Sequence, residues 1–231
     1  MATSYDVKLL DKREIAEGTL EFTLEKPKGF EYRAGQYGDL VIPALGGDGD
    51  DFEKHGFSFA SAPYEPTLRM ATRMRDTPFK RAAREVPVGK TVELLALWGD
   101  FTLHKNPAVP AVFVIGGIGI TPVRSIIAEA THQKLAHQLT LIYANRTRAL
   151  AAYTEDLEGY AKANPNFTFV PIYTSTAGRV TASTIREHVR DTATPKYYLS
   201  GPEGMVKAMR SLLIEVGADE DNVRTEEFDG Y

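Results

Sequence analysis

The chain has 231 residues, 27 basic against 31 acidic side chains for a formal net charge of −4, and no cysteine. A balance this close to neutral, without a basic run, gives nucleic acid or an anionic membrane surface nothing to hold, so neither is expected as a partner. The missing thiols exclude disulfides, thiolate zinc sites and iron–sulfur ligation within the chain, so any redox chemistry must reside in a bound organic cofactor.

No apolar run reaches the length of a membrane span, and the opening MATSYDVKLL lacks the apolar core of a secretory signal, which makes a cytoplasmic protein the expectation. Five scattered histidines offer no metal-like spacing. The length suits two small domains, and the pattern along the chain divides it that way.

The first part predicts antiparallel β-structure. Tyr5 to Leu10 alternates through Tyr5, Val7 and Leu9, and Thr19 to Leu24 through Leu20, Phe22 and Leu24, with Glu17-Gly18 as the turn. Each reads as a strand with one wet face. Further strands are expected at Asp39–Ile42, Phe57–Ala60, Arg69–Arg75 and Thr91–Leu97, with an acidic, glycine-rich loop over Leu45–Glu53 that reads as a solvated excursion. Short, regularly spaced strands bounded by Gly and Pro predict a small Greek-key barrel over residues 1–106. One helix interrupts it at Pro78–Val86, stopped by Pro87 and Gly89.

After the proline-punctuated stretch Asn106–Pro110, strands alternate with helices. Strands are predicted at Val112–Ile115, Leu139–Ala144, Phe167–Ile172, Lys196–Leu199 and Val223–Phe228. Helices run to about Lys134 and over Ala151–Ala163, Ala182–His188 and Glu203–Glu215. That alternation predicts a doubly wound parallel sheet over residues 107–231, with ligands at the carboxyl ends of its strands, where Gly116, Asn145, Thr174 and Ser200 fall.

The centre of this half is the apolar strand Val112–Ile115 running into Gly116-Gly117-Ile118-Gly119-Ile120-Thr121-Pro122. Glycines let backbone turn sharply and approach a ligand, Thr121 reads as the helix N-cap with Pro122 at the first helical position, and the free N–H groups there suit a phosphate. By itself the turn reads equally well as an ordinary strand-to-helix connection. It lacks the third glycine of the dinucleotide fingerprint, and no acidic residue closes the next strand for a ribose hydroxyl.

Five short motifs in order settle the comparison. They are His55-Gly56-Phe57-Ser58-Phe59-Ala60-Ser61, Gly99-Asp100-Phe101-Thr102-Leu103, the glycine turn, Ser200-Gly201-Pro202, and the tail Glu226-Glu227-Phe228-Asp229-Gly230-Tyr231. Over nearly its whole length the chain resembles the ferredoxin–NADP reductase family of flavoproteins. The resemblance implies FAD, with FMN as the alternative, on the barrel, and NADPH or NADH on the α/β domain.

On that resemblance Phe57 lies against the flavin ring, Ser58 offers its hydroxyl near flavin N5, and His55 and Ser61 complete the motif. Thr77-Pro78-Phe79-Lys80 holds the flavin pyrophosphate through backbone N–H groups, and Phe228 or Tyr231 covers the other ring face. Gly116, Gly117, Gly119, Thr121 and Pro122 hold the pyridine-nucleotide pyrophosphate. Ser200, with Gly201 and Pro202, faces the nicotinamide, and Glu226 is the carboxylate near the hydride path. Read from its residue type alone, Phe57 is first a core aromatic of a half-buried strand.

Two departures stand out. The arginine that opens the flavin motif is His55 here, and the family's frequent Cys-Gly-Pro is Ser200-Gly201-Pro202. Arg146 and Arg179 fall where the adenosine ribose would lie, and a guanidinium fork suits a 2′-phosphate, which favours NADPH. The implied activity is transfer of hydride from nicotinamide to flavin and then of single electrons to a separate ferredoxin or flavodoxin. Reduction of small acceptors (free flavin, ferric complexes, quinone, oxygen) and service as a subordinate subunit of a larger complex remain open, with a monomer or weak dimer expected.

Overall fold

The computed structural model describes residues 3–44 and 52–228, with the side chains of Leu97 and Phe228 outside the description. Six antiparallel strands come first: β1 (Thr3–Ala16), β2 (Thr19–Glu25), β3 (Tyr37–Pro43), β4 (Phe52–Ser58), β5 (Thr67–Arg73) and β6 (Thr91–Trp98). They pair in the order β4-β3-β6-β1-β2-β5. β1 runs well beyond the predicted Tyr5–Leu10 because it serves two neighbours. Thr3–Lys8 pairs with β6 and Leu9–Ala16 with β2, with register shifts at Leu9/Asp11 and Glu14/Ala16 where the strand bends. The two ends of the sheet meet where the Ala60 N–H donates to the Arg69 carbonyl at 2.8 Å, which closes the barrel.

β4 begins at Phe52, inside the stretch expected as an acidic loop, and residues 45–51 of that loop lie outside the described residues. Helix α1 (Pro78–Glu85) forms where the sequence predicts it. Thr77 is extended and its Oγ1 accepts from the Lys80 N–H at 3.3 Å, while Pro78 occupies the first turn, where no N–H is needed.

The second half is a parallel sheet of β7 (Ala111–Gly116), β8 (Leu139–Asn145), β9 (Phe167–Tyr173), β10 (Lys196–Pro202) and β11 (Val223–Phe228), in the order β11-β10-β7-β8-β9. Helices α2 (Ile120–His132), α3 (Thr154–Ala163), the single turn α4 (Thr174–Ala177), α5 (Ala182–His188) and α6 (Glu203–Glu215) cover it. Every residue of β7 is buried, and each large side chain of Val112–Ile115 contributes roughly 2 kcal/mol of burial. This all-apolar central strand fixes which faces the helices must cover.

The start of α2 differs from the expectation. A 3₁₀ turn over Gly117–Gly119 leads directly into Ile120, so Thr121 lies inside the helix and its Oγ1 donates back to the Ile118 carbonyl at 3.2 Å. Nor does β2 keep a wet face. Thr19 and Glu21 are buried because the Ala149–Asp156 segment of the parallel-sheet half lies against the barrel there: the Glu17 N–H donates to the Ala149 carbonyl at 2.8 Å, and Arg73 Nη2 to the Leu150 carbonyl at 3.1 Å.

One apolar core fills the barrel around Phe22, Leu40, Phe57 and Phe59, and another lies under α5 and α6. The third joins the halves, packing Ala60, Ala71 and Phe101 with Ile118, Val123 and Tyr153.

Candidate functional site

The seam between the halves is where β4 ends and where β10 and β11 run side by side. Ser200 and Glu226 are register partners in the parallel sheet. From the barrel side Ser58 Oγ donates to Glu226 Oε2 at 3.3 Å. Burial raises the Glu226 carboxyl to about 7, the Ser58 hydrogen bond opposes that rise, and the nearby Asp100 carboxylate adds to it. A carboxyl poised near neutrality, held by a hydroxyl, takes up or releases a proton at physiological pH. Ser200 is fully buried and its Oγ has no hydrogen-bond partner among the described residues. The three residues expected to be catalytic are thus drawn from distant parts of the chain to one seam.

The glycines explain how close the backbones come. A Cβ on Gly119 would stand 2.5 Å from the Ser200 carbonyl carbon and oxygen, so only hydrogen fits. Gly201, at φ +147°, would place a Cβ 2.9 Å from the Gly116 carbonyl oxygen. Hence the turns after β7 and within β10 touch backbone to backbone.

Beside this contact opens a cleft of about 600 Å³ at the carboxyl ends of β7, β8 and β9. Gly116, Gly117 and Pro202 form one wall, and Arg146, Thr174 and Arg179 another. Arg146 and Arg179 are exposed, with room to swing onto a ligand. Arg148, the third arginine of this edge, is bound instead to Glu158 at 2.8 Å. Among the described residues nothing pairs either amide atom of the buried Asn145, or the Nε of Arg73, which reaches in from β5. Buried polar groups without partners are costly, and a dinucleotide, rich in donors and acceptors, answers them.

Other expected ligand residues are placed differently. Within the turn Gly116 and Gly117 line the cleft, whereas the buried Gly119, Thr121 and Pro122 do not. Ser61 is fully buried and its Oγ is engaged by the Arg69 N–H and the Tyr32 hydroxyl, both at 3.0 Å within the barrel, while its carbonyl accepts from Ser125 Oγ of the other half at 2.6 Å. Phe57 and Phe79 are barrel-core residues, their rings 5.5 Å apart, with the half-buried His55 ring 5.0 Å from Phe57. In this arrangement the face of Phe57 is packed rather than open. Phe228 ends β11 opposite Pro202. Its side chain and Tyr231 lie outside the described residues.

The first turn of α1 carries no acidic residue. Lys80 is buried there without a carboxylate partner among the described residues; burial first, and Arg75 second, lower its pKa. Asp76, in the same cleft, is taken by Arg81 at 2.5 Å. A buried ammonium beside a second cation at a helix N-terminus fits an anion such as a flavin pyrophosphate.

Arg73 and Arg124 of α2 lie outside every motif in the sequence, whereas Asn145 falls at the predicted ligand edge without an assigned role. Asn145 had a legible signal, a polar residue closing an apolar strand at the ligand edge. Arg124 had a subtler one: a charge among the buried Val123, Ile126 and Ile127 has to be paired.

Residues 113–211 match the family model described as an oxidoreductase NAD-binding domain. The chain is 26% identical over 246 residues to ferredoxin–NADP reductase B of Sorangium cellulosum, covering 99% of both. It covers 37% to 63% of the flavohemoproteins and oxygenase reductase components that it also resembles. Among solved structures, a ferredoxin NADP+ reductase from Neisseria gonorrhoeae with bound FAD and NADP superposes with a TM-score of 0.84 at 20% identity, covering 98% of this chain and 99% of that one. A flavohemoglobin from Malassezia yamatoensis with bound FAD and heme gives 0.86 at 22% identity, over 99% of this chain and 60% of that one. No helix among the described residues is long and apolar enough to cross a membrane.

Proposed function

We propose that this chain works as an oxidoreductase of the ferredoxin–NADP reductase-like kind, with which it aligns end to end, drawing electrons from NADPH and handing them to a small protein acceptor of the ferredoxin or flavodoxin type. A flavin, when bound, supplies the step between a two-electron donor and one-electron acceptors. The observation that carries the reading is the meeting of Ser58, Ser200 and Glu226 at the seam, beside a cleft with unpaired polar groups.

In this reading the segment Thr77–Lys80 and His55 hold the flavin phosphates, with the Lys80 charge neutralised by them. Gly116, Gly117 and Asn145 hold the nucleotide backbone, and Arg146 and Arg179 read the 2′-phosphate. Ser58 orients Glu226, which holds a proton at its carboxyl near neutral pH, and the small buried Ser200 leaves room for the nicotinamide. Ring stacking by Phe57 requires its core contacts to open.

The acceptor is tested by cytochrome c reduction with NADPH: the rate should rise with added ferredoxin or flavodoxin. Indifference to both, with brisk reduction of free flavin or ferric complexes, would assign the protein to small acceptors instead. A second reading, a reductase serving an oxygenase partner, is favoured by relatives that are reductase components of phenol 2-monooxygenase and propane 2-monooxygenase. It would show as electron delivery only when such a partner is present.

A further inference from the structure

Arg124 is charged, yet its side chain is 3% exposed. Its guanidinium spans the two halves. Nη1 donates to Glu65 Oε2 at 2.5 Å and to the Ala60 carbonyl at 3.0 Å, both in the connection between β4 and β5, while Nη2 and Nε reach Asp156 Oδ2 of α3 at 2.7 and 2.9 Å. The rings of Tyr153 and Tyr160 hold it, each 5.7 Å from the guanidinium carbon. From the barrel, Arg69 meets the same carboxylates, at 2.5 Å from Glu65 and 3.8 Å from Asp156, and Glu21 at 3.8 Å. One residue further along α2, Ser125 Oγ donates to the Ser61 carbonyl at 2.6 Å.

A buried ion network of this kind is poor value as a source of stability, since apolar replacements of similar volume often do as well. What a planar, five-donor fork adds is direction: it fixes the partners' relative placement. That placement leads straight to the seam. Ala60 follows Ser58 by two residues, and α2 springs from the turn whose Gly119 abuts the Ser200 backbone. A short path of rigid contacts therefore runs from Ser58 through Ala60, Arg124 and Gly119 to Ser200.

We propose that Arg124 is a positioning residue for the redox reaction: it sets the spacing between the barrel side of the seam at Ser58 and the parallel-sheet side at Ser200. This rests on the function proposed above. Arg124 touches neither cofactor in this account. It acts by holding fixed the gap across which donor and acceptor rings must align, where misplacement by about 1 Å costs on the order of a hundredfold in rate.

The test uses holoprotein carrying Arg124→Met, Arg124→Lys or Glu65→Gln. Expected are wild-type flavin content and NADP+ affinity, with anaerobic single-turnover flavin reduction at saturating NADPH slowed about tenfold or more in Arg124→Met and less in Arg124→Lys, which keeps the charge without the fork. Because the chain has no cysteine, spin labels at Glu25→Cys on the barrel and Ser211→Cys on α6 report the spacing directly by pulsed electron resonance. The distance distribution should be narrow in wild type and broader in Arg124→Met. Should that variant not fold, Glu65→Gln, which leaves the Asp156 and Ala60 contacts, is read the same way.

Variants with a lowered melting temperature but wild-type reduction rates and an unbroadened distance distribution overturn the proposal and leave Arg124 a structural ion pair. Wild-type flavin that neither NADPH nor NADH reduces overturns the functional reading itself, and this proposal with it.

Discussion

Ser58, the last residue of a barrel strand, donates its hydroxyl proton to Glu226, on the edge strand of the parallel sheet, 168 positions later in the chain. The pair makes the seam a single chemical unit and exposes it to pH. Burial lifts the Glu226 carboxyl from its ordinary 4.5 to about 7. Between those values the folded protein keeps a proton that the unfolded chain has lost, so stability is greatest below pH 4.5 and falls as pH rises through 7, by roughly 3 kcal/mol at full extent from this one group. In flavin-free protein, Glu226→Gln should flatten that part of the profile and raise the urea midpoint at pH 8. Parallel profiles for variant and wild type would remove Glu226 as the source.

Arg146 and Arg179 share the cleft wall with Thr174, and both are exposed. If they read a 2′-phosphate, Arg146→Gln or Arg179→Gln weakens NADP+ by about tenfold or more, the worth of one charge-assisted bond, and leaves NAD+ within about twofold. Titration calorimetry with both nucleotides measures this. Equal losses for the two would place the arginines elsewhere on the nucleotide.

Gly119 is wedged against the Ser200 carbonyl, where an added Cβ would come to 2.5 Å. Gly119→Ala should cost about 1–3 kcal/mol, typical of overpacking against unyielding backbone. It should also slow flavin reduction by pushing Ser200 out of place. Urea denaturation and single-turnover kinetics report the two effects. A fully stable, fully active variant would mean the turn relaxes freely.

Lys80 offers a prediction with opposite signs in two states. Its ammonium is buried with Arg75 as a charged neighbour, so Lys80→Met should raise the melting temperature of flavin-free protein while weakening FAD binding about tenfold, as expected for a lost charge-assisted phosphate contact. Dialysis with fluorescence of released flavin follows the second effect. Unchanged flavin retention would separate α1 from the pyrophosphate.

What the sequence made legible was local and periodic. The all-apolar Val112–Ile115, the alternation in Val7, Leu9, Phe22 and Leu24, and the bounds of Glu203–Glu215 and Val223–Phe228 all match the structure, because burial pattern and chain-terminating residues act within a few positions. The seam triad was accessible only through motif order, since nothing local brings Ser58 to Glu226. Two features were beyond reach: Thr121 looked like a cap, but the preceding 3₁₀ turn took that place, and Glu21 looked solvent-facing until the other half covered it. Phe57, whose residue type already fitted a core aromatic, packs inward against Phe22 and Phe79. Arg124 was legible only as a charge needing a partner, since the partners themselves, Glu65 and Asp156, lie 59 and 32 positions away.

In the proposed function a flavin bound by the barrel is reduced by a nicotinamide held on the parallel sheet. This is tested most directly by the visible spectrum of the purified protein before and after anaerobic addition of NADPH. A yellow protein whose flavin band bleaches on addition, with Ser58→Ala retaining the flavin but bleaching more slowly, is the predicted result. A colourless protein that takes up no FAD, or a yellow one untouched by NADPH and NADH alike, would contradict it.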